Sequence, residues 1–171
     1  MSSCKHTGEW IPEKVATIFL SLALMLTACG FHRQGVTPMS PVMKVTYVDA
    51  KDERSDFQRG LTRALKAGGT TITPTRAAAS AVLRIERDET GQRVLSVSAR
   101  NTPTEYEIFY TVTYAVTSGG KEVLPPQTLT LTRDYSFDDE ALLAKQHEEG
   151  ILREALARDL VNLVMRRLAS L

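Results

Sequence analysis

Four runs of alternating apolar and polar side chains occupy the middle of the chain and predict β-strands. They cover residues 81–89, 93–100, 105–117 and 128–137. Glycine-containing segments at 89–92 and 118–121 separate neighbouring runs, so both predict hairpin turns in an antiparallel sheet. Pro125-Pro126 cannot donate ladder hydrogen bonds, which predicts an edge or bulge position where the last strand begins.

A short β-branched run over Val42–Val48 predicts a first strand, and a helix is predicted directly after it. Ser55 and Gln58 have the spacing of a capping box, and Gly68-Gly69 supplies a left-handed stop. Between these signals the apolar residues fall at four-residue steps, at Phe57, Leu61 and Leu65. We therefore expect a three-turn amphipathic helix that covers one face of the sheet.

A second helix is predicted over residues 139–168, with Asp138 or Asp139 as its cap. We expect Gly150 to interrupt it, with a looser first turn over residues 141–145. Its apolar stripe consists of Leu152, Leu156, Leu160, Leu163, Val164 and Leu168. The predicted fold class is α+β, a two-layer sandwich of two helices on one face of a mostly antiparallel four- to five-stranded sheet.

An apolar run over residues 15–27 precedes this domain and is too short to cross a bilayer core of about 30 Å. It ends in Leu26-Thr27-Ala28-Cys29, which resembles the lipobox of bacterial lipoprotein precursors. The expected organisation is a signal peptide at 1–28, a lipidated N-terminus and tether at 29–41, and one domain at 42–171. Cys29 is thus the predicted lipidation site. Gly30 stands where an Asp is associated with retention at the inner membrane, which favours the outer membrane.

The charge balance and the cysteine count exclude several classes of function. The chain has 21 basic and 20 acidic side chains, so its net charge of +1 argues against nucleic-acid binding. Cys4 would leave with the signal peptide and Cys29 would be acylated, so neither a disulfide nor a cysteine metal site is expected. We expect no enzyme activity, no metal and no cofactor besides the covalent lipid. A hydrolase using the acids at 86–89 is a poor alternative, because no apolar pocket is predicted around them.

Hydroxyl side chains are predicted to cover the polar face of the sheet, with almost no charge among them. They are either ordinary solvated strand residues or a contact surface. A flat, neutral, hydrogen-bonding surface suits the polar lumen of an outer-membrane β-barrel. The candidate barrel-contact residues are Ser96, Ser98, Thr111, Thr113, Thr128, Thr130 and Thr132.

Several short motifs follow one another along the chain: Cys29-Gly-Phe-His-Arg33, Met43-Lys-Val45, Glu105-Tyr106, Arg133-Asp-Tyr135, Leu143-Ala-Lys145 and Arg166-Arg-Leu168. In this order and spacing they resemble the LptE family of lipoproteins. The resemblance covers nearly the whole chain after the signal peptide. It implies a two-helix, four-strand sandwich that plugs the LptD barrel in the outer membrane, assists its assembly and binds lipopolysaccharide (LPS).

The resemblance also implies an LPS contact by basic residues at one end of the sheet. Two positions match by local motif: Arg100, five residues before Glu105-Tyr106, and Lys145. Both side chains suit lipid A phosphates, since Arg offers a planar donor fork and Lys a point charge. The predicted location is the periplasmic side of the outer membrane, through the lipid anchor. The alternative is a free periplasm-facing lipoprotein that binds a small molecule or peptidoglycan.

Overall fold

A computed structural model of the protein describes residues 39–136 and 142–171, with the side chains of the second range described from residue 147 onward. Five strands form one mixed sheet in the order β2-β1-β3-β4-β5. Their bounds are β1 Val45–Ala50, β2 Thr71–Ile72, β3 Ala81–Val97, β4 Pro103–Ser118 and β5 Lys121–Ser136. The strands from β3 to β5 are antiparallel, whereas β1 runs parallel to both of its neighbours. The predicted α+β sandwich is confirmed. The parallel pairing of β1 refines the prediction of a mostly antiparallel sheet.

Helix α1 spans Asp56–Ala67 and begins and ends at the predicted signals. The Ser55 hydroxyl accepts the Gln58 amide at 2.9 Å, which satisfies one of the free N–H groups of the first turn. The reciprocal arm of the capping box is not formed, because the Gln58 side-chain oxygen has no hydrogen-bond partner. At the other end Gly69 adopts a φ of 89°, and the Thr70 amide donates to the Leu65 carbonyl at 3.0 Å.

Helix α2 spans Leu142–Ala169 and passes through Gly150 without a break, so the predicted interruption is wrong. Glycine costs a helix interior only about 1 kcal/mol, which the packing of a helix of this length offsets. The predicted caps Asp138 and Asp139 lie outside the described residues. Most of the predicted stripe is buried in the core, whereas Leu152 and Leu163 are partly exposed; the buried members are Leu156, Leu160, Val164 and Leu168.

The core lies between the two helices and one face of the sheet, which we call the inner face. Strand β4 supplies its centre, because alternate residues from Ile108 to Val116 are at most 2 % exposed. These are Ile108, Tyr110, Val112, Tyr114 and Val116, as the alternating pattern predicts. Phe57, Leu61 and Leu65 of α1 are fully buried against the same cluster. The helices therefore cover one side of the sheet and leave the other, the outer face, without a covering element among the described residues.

Strand β3 is longer than the sequence predicts, since it continues through the expected hairpin at 89–92. Gly91 pairs with Phe109 of β4 and does not adopt a positive φ. A Cβ atom at Gly91 would lie 2.7 Å from Cζ of Phe109, so the aromatic ring rests on the space that glycine leaves open. Gly91, which suggests a turn in the sequence, instead allows close packing against Phe109.

The second predicted hairpin and the proline position are both confirmed. Ser118 pairs with Lys121, and Gly119 and Gly120 take φ values of 57° and 76°, as a two-residue primed turn requires. Pro125-Pro126 lies on the edge strand β5, where the register with β4 shifts. The first strand begins later than predicted, because Pro41–Met43 forms a 3₁₀ turn before it.

Candidate functional site

Two threonine pairs form a hydroxyl ladder across β4 and β5 on the outer face. Thr111 and Thr130 lie opposite each other with 2.9 Å between their hydroxyl oxygens, and Thr113 and Thr128 repeat this distance. Each pair uses one of its two O–H donors, so one donor and several lone pairs remain for an outside partner. The sheet thus brings four of the seven predicted contact residues together in one patch.

The remaining predicted contact residues are not all part of this ladder. Thr132 continues it along β5, opposite Phe109. Ser96 lies on β3, where its hydroxyl contacts Thr104 at 2.8 Å and donates to the Glu105 carboxylate at 2.9 Å. Ser98 lies beyond the end of β3, in the turn to β4, and its hydroxyl accepts the amides of two residues of that turn. The predicted strand over 93–100 is therefore too long, and Ser98 shapes the turn.

The outer face also carries charge, which the sequence reading does not anticipate. Arg93 of β3 lies opposite Glu107 of β4, and their side chains form an ion pair at 2.5 Å without hydrogen-bond geometry. Further along β3, Arg87 and Glu89 lie 3.8 Å apart. The sequence could have shown these charges on the outer face if β3 had been read as one continuous strand beside β4, without a turn at 89–92. The face is a neutral hydroxyl ladder beside a row of paired charges.

Arg100 lies in the exposed turn between β3 and β4. Its amide donates to the Ser98 hydroxyl at 3.3 Å, and the next residue, Asn101, adopts a left-handed φ of 60°. Asparagine tolerates this conformation better than most residues. Arg100 has no ion-pair partner within 4.0 Å among the residues that the structure describes, so its guanidinium is available to an external anion.

Helix α2 lies along β4 and β5, and its N-terminal end is at the same end of the sheet as this turn. Burial is the main cause that raises the pKa of Tyr135 of β5. The charges of Glu149, Arg153 and Glu148 on α2 also influence this pKa. Tyr135 pairs with Tyr106, and their rings stack with centroids 5.7 Å apart. The backbone of Lys145 lies one helical turn before Glu149. Arg100 and the first turns of α2 therefore share one end of the sandwich.

One member of the acidic cluster at 86–89, Asp88, has a structural role. One oxygen of its carboxylate accepts the Ser55 hydroxyl at the start of α1, and the other accepts the Tyr110 hydroxyl at 2.8 Å. Burial raises the pKa of Tyr110, and the hydrogen bond to Asp88 raises it further. The carboxylate thus joins the helix cap to the centre of the sheet.

Neither metal ligation nor a membrane-spanning helix is found in the described part of the chain. Within residues 39–136 and 147–171, no three His, Cys, Asp or Glu side chains are grouped so that they could bind a metal ion. Among the described helices, none combines the length and the apolar character needed to span a membrane.

Comparison with known protein families decides the relationship. Residues 43–168 match the model of the LptE family, described as lipopolysaccharide-assembly. The chain belongs to the LptE family. Among curated proteins, it is 25 % identical over 162 residues to the LPS-assembly lipoprotein LptE of Pectobacterium atrosepticum, which covers 93 % of this chain and 87 % of the relative. It is 28 % identical over 156 residues to the LPS-assembly lipoprotein LptE of Photorhabdus laumondii, and this match covers 87 % of this chain and 84 % of the relative.

Solved structures share the fold. The crystal structure of the rare lipoprotein B from Shewanella oneidensis matches with a TM-score of 0.65 and 26 % identity, over 74 % of this chain and 94 % of that one. The solution structure of a lipoprotein B from Nitrosomonas europaea matches with a TM-score of 0.69 and 23 % identity, and the match covers 81 % of this chain and 88 % of that one. The resemblance of the sequence motifs to the LptE family is confirmed, together with the two-layer fold.

Proposed function

We propose that this LptE-family protein is a non-enzymatic outer-membrane lipoprotein, anchored through Cys29 and facing the periplasm, that plugs an LptD-like barrel and binds LPS. The observation that carries the docking role is the outer face, which the helices leave uncovered and which presents paired threonine hydroxyls. Lumenal walls of outer-membrane barrels are polar and offer hydrogen-bonding groups. A hydroxyl ladder matches such a wall without the desolvation cost of unpaired charge.

The charge pair between β3 and β4 fits the same docking role. Arg93 and Glu107 already neutralise each other, so the pair can enter an interface with a smaller desolvation penalty than a lone charge. Phe109 adds one aromatic ring to the middle of the face, next to Gly91. Aromatic residues are enriched in protein interfaces, where they supply a large contact area. The outer face therefore combines neutral hydroxyls, paired charges and an aromatic ring.

The LPS role is supported by the shared end of the sandwich. Arg100 and the backbone position of Lys145 lie at that end, and Arg100 has no ion-pair partner among the described residues. Lipid A presents phosphates, which bind cationic side chains through charge-assisted hydrogen bonds. No cofactor is part of this function apart from the lipid on Cys29.

Docking through the outer face is tested with Thr111→Lys and Thr130→Lys. A lysine placed in the buried interface has no partner, which costs several kcal/mol, whereas on a solvated sheet it costs little. Both variants should therefore fold normally and co-purify with the barrel far less than the wild type. The matched control is Thr75→Lys, because Thr75 is exposed and lies outside the face. Wild-type recovery of the barrel by both face variants would show that the outer face is only solvated, and would favour a free binding lipoprotein.

A further inference from the structure

Three of the five exposed large hydrophobic side chains in the described residues lie within four residues at the end of β3. Val94, Leu95 and Val97 are 47 %, 46 % and 53 % exposed. The other two are separate from them in the sequence: Val123 follows the β4–β5 turn, and Ile151 lies on α2. Single exposed apolar residues are ordinary, but a group of them on a soluble surface indicates a binding site.

The local strand structure exposes this group, which we call the aliphatic patch. Strand β1 pairs with β3 only up to Ile85, so the distal half of β3 has no neighbouring strand on that side among the described residues. The register with β4 also shifts around Ser96, and Leu95 is the extra residue between two successive pairs. Such a bulge redirects side chains and is common next to functional sites. The bulge places a leucine in solvent, where a polar residue would be expected.

The aliphatic patch lies beside the cation of the β3–β4 turn. Val97 pairs with Pro103, and only the residues of the turn, including Arg100, separate them. Val94 pairs with Tyr106, which stacks on Tyr135 and extends the apolar surface inward. An anionic group at Arg100 would therefore lie within a few residues of a surface that favours hydrocarbon. A ligand that satisfies both parts is an amphiphile with a charged head and acyl chains.

We infer that the aliphatic patch binds the acyl chains of the glycolipid whose phosphates contact Arg100. This inference rests on the proposed function and divides that site into two parts, one for phosphate and one for hydrocarbon. The apolar part contributes affinity that does not depend on salt, because hydrophobic contact is not screened by ions. Removing the acyl chains from the ligand should therefore remove the contribution of the patch and leave that of Arg100.

The test compares intact LPS with chemically deacylated LPS as probes for the detergent-solubilised, full-length lipoprotein. The variant is Val94→Thr/Leu95→Thr/Val97→Thr, which keeps good strand formers while removing apolar surface. It should bind intact LPS about tenfold more weakly than the wild type and deacylated LPS equally well. Val123→Thr is the matched control, because Val123 is 39 % exposed near the opposite hairpin, and it should bind both probes as the wild type does. Val94→Thr alone gives a milder variant whose fold is checked by its circular-dichroism melt.

Each alternative result has a distinct meaning. If the folded variants bind intact LPS as tightly as the wild type, the patch does not bind acyl chains. If they bind LPS normally but lose the barrel, the patch is a protein contact and the inference is wrong. Equal weakening for both probes would contradict the inference, because it would assign the effect to a disturbed turn around Arg100 and not to lost acyl-chain contact. If the wild type binds neither probe, the proposed LPS binding itself fails, and this inference fails with it.

Discussion

Replacing Asp88 with alanine is predicted to destabilise the protein more than any other change among the acids at 86–89. Its carboxylate accepts hydrogen bonds from Ser55, which caps α1, and from Tyr110, which is 2 % exposed in the centre of the sheet. Alanine removes both acceptors at once. The Tyr110 hydroxyl then loses its charged acceptor and keeps only its contacts with Ser55 and the Phe57 backbone, whereas Ser55 is half-buried and can donate to solvent.

The magnitude follows from these two contacts. Losing the hydrogen bond from the Tyr110 hydroxyl to a charged acceptor costs about 1–3 kcal/mol, and the loss of a hydrogen bond that orients the cap adds about 1 kcal/mol. The free energy of unfolding should therefore fall by about 2–4 kcal/mol. For a domain of this size, each kcal/mol lowers Tm by about 3 °C, so a fall of about 6–12 °C is expected. Asp88→Asn keeps the shape and one acceptor, and should cost about half as much.

Urea unfolding of the domain at 42–171, followed by circular dichroism, measures these differences. Glu89→Ala is the matched control, because the Glu89 side chain is 66 % exposed and its one ion pair among the described residues is with Arg87, at 3.8 Å. It should stay within about 0.5 kcal/mol of the wild type. A double-mutant cycle with Tyr110→Phe should give a coupling energy of about 1–3 kcal/mol. Equal stability of Asp88→Ala and Glu89→Ala, or a coupling near zero, would refute the bridging role of the carboxylate.

Two further predictions concern pH and ligand binding. Because the pKa of Tyr110 is raised in the folded protein, its contribution to stability is full below the unfolded value of about 10 and is lost as pH rises above it. Urea unfolding between about pH 8 and 11 should show this fall, and a Tyr110→Phe protein with the same slope would contradict it. Arg100→Glu/Lys145→Glu should fold normally but bind LPS at least about tenfold more weakly, with a smaller salt dependence than the wild type. Unchanged affinity across a salt series would make both residues ordinary surface cations.

The sequence by itself determines the features that depend on local periodicity and local backbone chemistry. The inner face of β4 is readable from its alternation, because the side chains of a strand point to opposite sides at every step. The two ends of α1 follow from Ser55 and Gly69, whose side-chain and backbone properties act within one turn. The Gly119-Gly120 hairpin is predictable for the same reason, since only glycine adopts two successive positive φ values easily.

Only the tertiary structure decides the features that depend on contacts between distant residues. Gly91 has the local signature of a turn, but the ring of Phe109 across the ladder needs its empty space, and so β3 continues. Gly150 has the signature of a helix break, but a long helix packed on the sheet tolerates it. The role of Asp88 and the pairing of Arg93 with Glu107 are likewise set by strand register. Register is fixed by the burial of whole faces, which is a property of the assembled sheet and not of any short segment.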